Sequence, residues 1–215
     1  MANAVAEFRE SVVCWYRSNG RSFPWRSAST CYEHTVAELL LQRTAAATVK
    51  GFYPEFLQRF PTWDSLSNAG PEELEPFFRR IGLWNRRASA LMSLAAAVVL
   101  RGGALPRTRA ELEALPGIGQ YVASAVMTLC YGQREPLLDS SMARVLERVF
   151  GSRKQADIRN DAYLQGLSRA VVDCEGASEV NWAVLDLAAA LCRPSNPRCA
   201  VCPVRSLCRY ARKSS

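Results

Sequence analysis

Leu115-Pro116-Gly117-Ile118-Gly119-Gln120-Tyr121 is the stretch on which the reading of this chain turns. A helical segment from Arg109 to Leu115 meets Pro116 and a second begins at Gln120, so only four residues reverse the chain. Gly117 and Gly119 permit positive φ and leave backbone amides uncovered, and the helix that follows adds the positive end of its dipole. Gly117, Ile118, Gly119 and Gln120 therefore predict a cradle for phosphate. Because it grips backbone and not bases, such a hairpin positions a duplex without specifying its sequence. A plain helix-helix connection would look the same in sequence. What favours binding is Asp139, one loop beyond the second helix and twenty residues after Gly119, with an apolar run between them.

Composition sets the bounds around this motif. A chain of 215 residues is one large domain or two small ones and can bury a sizeable core. Hydrophobic residues make up 49% of it and strand-type alternation is scarce, which predicts an all-α protein. The net charge of +7 suits an anionic partner. Arg193, Arg198, Arg205, Arg209, Arg212 and Lys213 follow Cys192 with no acidic residue among them, so the terminal segment alone carries +6. No charged-then-apolar leader opens the chain and no apolar run is long enough to cross a bilayer. The expectation is a soluble, cytoplasmic, monomeric protein whose eight cysteines are reduced or bind metal.

Upstream of the hairpin, Val5, Phe8, Val12, Val13 and Tyr16 recur at helical spacing over Ala2 to Asn19. Arg21 to Arg26 reads as a loop in which Trp25 is either buried or set against nucleic acid. Tyr32 to Leu41 is an apolar helix interrupted by His34 and Glu38, and it leads into Gln42-Arg43-Thr44. Spacing of i,i+4 would put Glu38 and Gln42 on one side, toward a common cleft. The single histidine, His34, reads as a satisfied structural residue. Ala45 to Arg59 reads as continuing helix, Thr62 and Pro71 as starts of two shorter ones, and Ile81 to Asn85 as a turn into a helix over Arg86 to Arg101. After Asp139, helices are expected near Ser141 to Phe150, Asp161 to Cys174 and Ser178 to Leu191.

Cys192, Cys199, Cys202 and Cys208 follow a C-x6-C-x2-C-x5-C spacing. Four thiols that close in sequence favour a metal centre, and their chemistry leaves tetrahedral zinc and an iron-sulfur cubane as rivals. Cys14, Cys31, Cys130 and Cys174 read as buried thiols.

With hairpin, aspartate and cysteines in place, the chain from the Tyr16 region to Cys208 resembles the helix-hairpin-helix DNA glycosylases. That superfamily includes endonuclease III, adenine DNA glycosylase and the thymine-DNA mismatch glycosylases. The resemblance implies two helical lobes with the active-site cleft between them. One is a six-helix barrel-like domain over 22–134 carrying the hairpin, and the other joins 1–21 to 135–215 and holds the cysteines. It also implies a [4Fe-4S] cluster on the four cysteines, with Arg193 and Arg198 presented to the phosphodiester backbone. Asp139 matches the aspartate that stabilises the cationic sugar and helps the attacking water.

Tyr121 falls where endonuclease III-like enzymes carry a Schiff-base lysine, and the chain's only lysines, Lys50, Lys154 and Lys213, lie outside the hairpin. Adenine glycosylases have serine there and the thymine mismatch group has tyrosine, so the resemblance points to the latter. The chain also ends soon after the cysteines, where adenine glycosylases usually continue into a second domain. Glu38, the proton donor of the adenine enzymes, would here hydrogen-bond the extruded base. Gln42 would fill the gap left by the flipped nucleotide, Arg43 beside it would read the widowed guanine, Thr44 completes the same motif, and Leu83 would wedge between bases. Ser141 departs from the asparagine often found two residues after the aspartate. The implied activity is a monofunctional, nucleoid-associated glycosylase removing thymine or uracil opposite guanine from duplex DNA. Adenine removal and a non-catalytic DNA-binding module are the alternatives.

Overall fold

The computed structural model describes residues 2–82 and 84–213, so the expectation for Leu83 lies outside the described residues. Among them every regular element is helical, and no helix is long and apolar enough to cross a membrane. In chain order the helices are α1 (Ala2–Asn19), α2 (Cys31–Leu41), α3 (Ala46–Lys50), α4 (Tyr53–Arg59), α5 (Trp63–Ser67), α6 (Pro71–Phe78) and α7 (Trp84–Val99). They continue as α8 (Arg109–Glu113), α9 (Gln120–Leu129), α10 (Ser140–Phe150), α11 (Ala162–Val172), α12 (Ala177–Ala190) and α13 (Arg209–Lys213). The chain divides into two compact units, Ser22–Tyr131 and a discontinuous one made of Met1–Arg21 with Gly132–Ser215.

Local chemistry explains most boundaries. Thr30 caps α2 in a reciprocal capping box with Glu33, Thr62 does the same for α5 with Ser65, and Pro71 opens α6. The helix expected over Ala45 to Arg59 is instead broken into α3 and α4. Gly51 closes the first and Pro54 sits in the opening turn of the second. Pro54 has no amide to donate and its ring would strike the carbonyl four residues back, so an uninterrupted helix there is excluded. The long helix before the hairpin starts two residues earlier than expected, at Trp84.

The core of the Ser22–Tyr131 unit is aromatic. Phe56 packs against Phe60, Phe77 and Phe78 with ring centroids 5.2 to 6.2 Å apart. Trp25 belongs to this core: it is 6% exposed, stacked on Phe23 at 4.7 Å and edge-on to Tyr53. In the discontinuous unit, α1 turns Val5, Phe8 and Val12 inward, and Phe8 meets Phe150 edge-on at 5.3 Å. Cys14 lies on the opposite, exposed face of α1, and Cys31, Cys130 and Cys174 are only partly buried, so the expectation of four buried thiols fails. Arg21 ties the end of this first segment to buried Asp186 in α12, through its backbone amide and its guanidinium, both at 2.7 Å.

Candidate active site

The hairpin closes through one tight turn. The Ile118 amide donates to the Leu115 carbonyl at 3.2 Å and Gly117 has φ +77°, the pattern of a type II turn with proline and glycine in their preferred central positions. Leu115 and Ile118 are buried while Pro116, Gly117 and Gly119 face solvent, so Ile118 anchors the loop and offers a ligand only its backbone. Gly119 does not use positive φ, contrary to expectation. It is extended, caps α9, and has open space where a Cβ would sit. Neither strain nor crowding inside the protein demands glycine there, which fits a backbone kept bare for close approach. Arg109 stitches the two helices together, reaching the Gln120 carbonyl at 3.4 Å and the Ser124 hydroxyl at 3.0 Å. Tyr121, the second residue of α9, is half-buried and packs against the unit's core.

Glu38 lies in the same unit and is 6% exposed on α2, close enough to act on Tyr53 electrostatically. It does not share a helical face with Gln42. The helix ends at Leu41, and Gln42, Arg43 and Thr44 form a turn beyond it with the first two exposed. Arg43 is left-handed, φ +54°, which for a residue with a Cβ costs of order 1 kcal/mol. Arg87 of α7 clamps that turn, donating to the Thr44 hydroxyl at 2.8 Å and the Gln42 carbonyl at 2.7 Å. Sequence reading passed over Arg87 because its partners lie 43 and 45 residues away. His34 hydrogen-bonds the Trp25 backbone, but Nδ1 has no hydrogen-bond partner among the described residues, so it is only partly satisfied. Burial pushes its pKa below the usual histidine value.

Asp139 belongs to the discontinuous unit, where it is the N-cap of α10. Its Oδ1 accepts from the amides of Ser141 at 2.8 Å and Met142 at 2.7 Å. The segment leading to it is pinned by Asn181, fully buried on α12, whose side chain accepts from the Leu137 amide at 2.7 Å and donates to the Glu135 carbonyl at 3.0 Å. Desolvation raises the Asp139 pKa. The two amides, the Ser141 hydroxyl and the positive charge of Arg144 oppose that shift without cancelling it. Ser141 thus supports the carboxylate with both its amide and its hydroxyl.

The four cysteines expected to hold metal line one cavity, together with Arg148, Arg198 and Arg205. Burial, and then the neighbouring thiols, push Cys202 up to about 11, although the Val204 amide works the other way. Arg148 binds the loop that follows Cys192, donating to its sulfur at 3.4 Å and to the carbonyls of Arg193 at 2.7 Å and Pro194 at 3.1 Å. Arg144 reaches the Cys192 carbonyl at 2.8 Å. Arg198 is exposed, whereas Arg193 is half-buried and donates to the Asn196 carbonyl at 3.3 Å. Among the described residues, no three cysteine, histidine or carboxylate side chains gather closely enough to share a single metal ion. Four thiols lining one cavity are a donor set suited to a metal centre, zinc or an iron-sulfur cluster.

The signature of the HhH-GPD superfamily of base excision DNA repair proteins matches residues 36–178. The chain belongs to this family. HhH-GPD relatives carry the likeness over nearly the whole length. A thymine/uracil-DNA glycosylase of Pyrobaculum aerophilum is 38% identical over 96% of this chain and 93% of its own. A thymine-DNA glycosylase of Aeropyrum pernix is 37% identical over 96% and 95%. Among solved HhH-GPD structures, a thermostable thymine-DNA glycosylase superposes with a TM-score of 0.91 at 30% identity, covering 98% of both chains. The all-α helix-hairpin-helix glycosylase fold expected from the hairpin, the aspartate and the cysteines is the fold of this superfamily.

Proposed function

We propose that the protein is a monofunctional DNA glycosylase that flips thymine or uracil out of a mispair with guanine and hydrolyses its N-glycosidic bond. The observation that carries this reading is Tyr121, set one residue into α9 directly after the hairpin, where a lyase would need an amine. Lys50, in the same unit, is engaged with the Ser22 carbonyl at 3.3 Å. The similarity to a thymine/uracil-DNA glycosylase and a thymine-DNA glycosylase supports the choice of base.

In this scheme the backbone of Gly117 to Gln120 grips phosphate, and the sugar carbon becomes reachable only once the nucleotide leaves the stack. Bond cleavage builds positive charge on the deoxyribose. Asp139, held by its cap, stabilises that charge and orients the attacking water. Glu38 hydrogen-bonds the extruded base, Gln42 fills the gap, Arg43 beside it reads the widowed guanine, Leu83 wedges between bases from the other side, and Arg193 and Arg198 bind backbone. Cys192, Cys199, Cys202 and Cys208 would hold a [4Fe-4S] cluster that orders the loop bearing those arginines.

Purified protein is expected to release free base from G:T and G:U duplexes, leaving an abasic strand intact until alkali is added. A product trapped by borohydride would refute the monofunctional reading, and release of adenine without pyrimidine would refute the choice of base. Duplex affinity should fall by orders of magnitude between about 50 and 200 mM salt, as expected for 6–10 phosphate contacts.

A further inference from the structure

The loop that ends α2 is a second tight turn with the wrong residue at its hardest position. Gln42 has φ −55° and ψ 114°, Arg43 has φ +54°, and the Thr44 amide closes on the Leu41 carbonyl at 3.1 Å. That is again the type II pattern, in which the third position normally belongs to glycine or asparagine. The hairpin meets this demand with Gly117. Here an arginine meets it, at a cost to the backbone that something must offset.

Arg87 supplies the offset. Its two terminal nitrogens bridge the Gln42 carbonyl and the Thr44 hydroxyl, one on each side of Arg43. A guanidinium suits this task because its donors are fixed in one plane, and a flexible ammonium could not span both acceptors with the same geometry. The clamp also brings two like charges together: burial and the charge of Arg43 both hold the Arg87 pKa below its ordinary value. Arg43 is exposed and faces that repulsion from one side, so an electronegative partner approaching from solvent relieves it.

We infer that Arg87 is a positioning residue: it holds the Leu41–Thr44 turn in the strained form that presents Gln42 and Arg43, and so sets how productively the enzyme engages the base opposite the lesion. The inference rests on reading Gln42 and Arg43 as DNA-facing. Arg87 itself touches only the turn.

The test compares the unaltered protein with Arg87→Met, Arg87→Lys, Thr44→Val and Arg43→Gly, singly and with Arg87→Met combined with Arg43→Gly. Amide exchange at Gln42 to Thr44 should quicken in Arg87→Met. Single-turnover release from a G:U duplex should fall about 10- to 100-fold, as for a modest misplacement of a binding group, while affinity for undamaged duplex stays within about twofold. Arg87→Lys and Thr44→Val, each keeping part of the clamp, should fall between. Arg43→Gly should melt higher, since glycine suits the turn, yet release base more slowly. Because Arg87 acts through Arg43, the double variant should lose no more activity than Arg43→Gly alone.

Additive losses would overturn the inference, as would full recovery in Arg87→Lys. A fall in undamaged-duplex affinity with a salt slope smaller by about one would mean that Arg87 contacts phosphate directly, and overturns it too. If the unaltered protein released no base, the functional reading would fail by itself. Unchanged amide exchange in Arg87→Met would then still reject the clamp, and quickened exchange would uphold it.

Discussion

An Asp139→Asn variant is expected to release base roughly 10²- to 10³-fold more slowly than the parent while melting at the same temperature or above it. The two halves of that expectation come from different atoms. Helix α10 needs from residue 139 only an oxygen that accepts from the Ser141 and Met142 amides, and an asparagine side chain supplies one. The reaction needs the negative charge, and asparagine has none. Burial raises the Asp139 pKa above that of an unfolded chain, so between the two values the native state holds more proton and stability falls as pH rises through that window. Removing the charge removes this loss. Asp139→Ala should separate the roles in the other direction: activity is lost, and so is the cap, at about 1 kcal/mol. In the parent, base release should decline as pH drops through an apparent pKa higher than an ordinary aspartate's. An Asp139→Asn variant with full turnover would remove the residue from the chemistry.

The second large effect concerns the cysteine cavity. Cys202→Ala is expected to yield protein without iron or acid-labile sulfide and with duplex affinity reduced by at least about tenfold, because losing one ligand disorders the loop the group would hold. Thiols that burial drives toward the neutral form, as it does Cys202, do not stay together as anions without a cation to hold them. Arg144 and Arg148 fasten α10 to Cys192 and to the carbonyls just after it, so the segment carrying Arg193 and Arg198 depends on that corner being ordered. Analysis of the parent for iron, sulfide and zinc decides the matter: zinc in place of iron would refute the cluster.

Legibility in the sequence followed the range of the interaction. The hairpin is readable because Pro116 and Gly117 fill the central positions of one turn, and the start at Thr62 because its cap lies three residues ahead, whereas the equally local cap at Thr30 goes unread. The break at Gly51 to Pro54 carried its signal in plain view, and apolar periodicity concealed it. The cap made by Asp139 was equally local. Asn181 and Arg87 were invisible, since their acceptors and donors are set by folding and not by spacing. The i,i+4 pairing of Glu38 with Gln42 holds only where helical geometry continues past Leu41, and no residue type near Arg43 announces a left-handed turn.

The bond between Arg21 and Asp186 joins residues 165 apart, and the contiguous unit Ser22–Tyr131 is synthesised in between. At roughly 5–20 residues per second, the ribosome emits Arg21 about 8–33 s before Asp186, the last of the partners that secure this first segment. Nascent chains arrested before residue 186 should therefore show a protease-resistant middle while α1 is still cut, and a permuted gene that places α1 after α13 would spare that helix the wait.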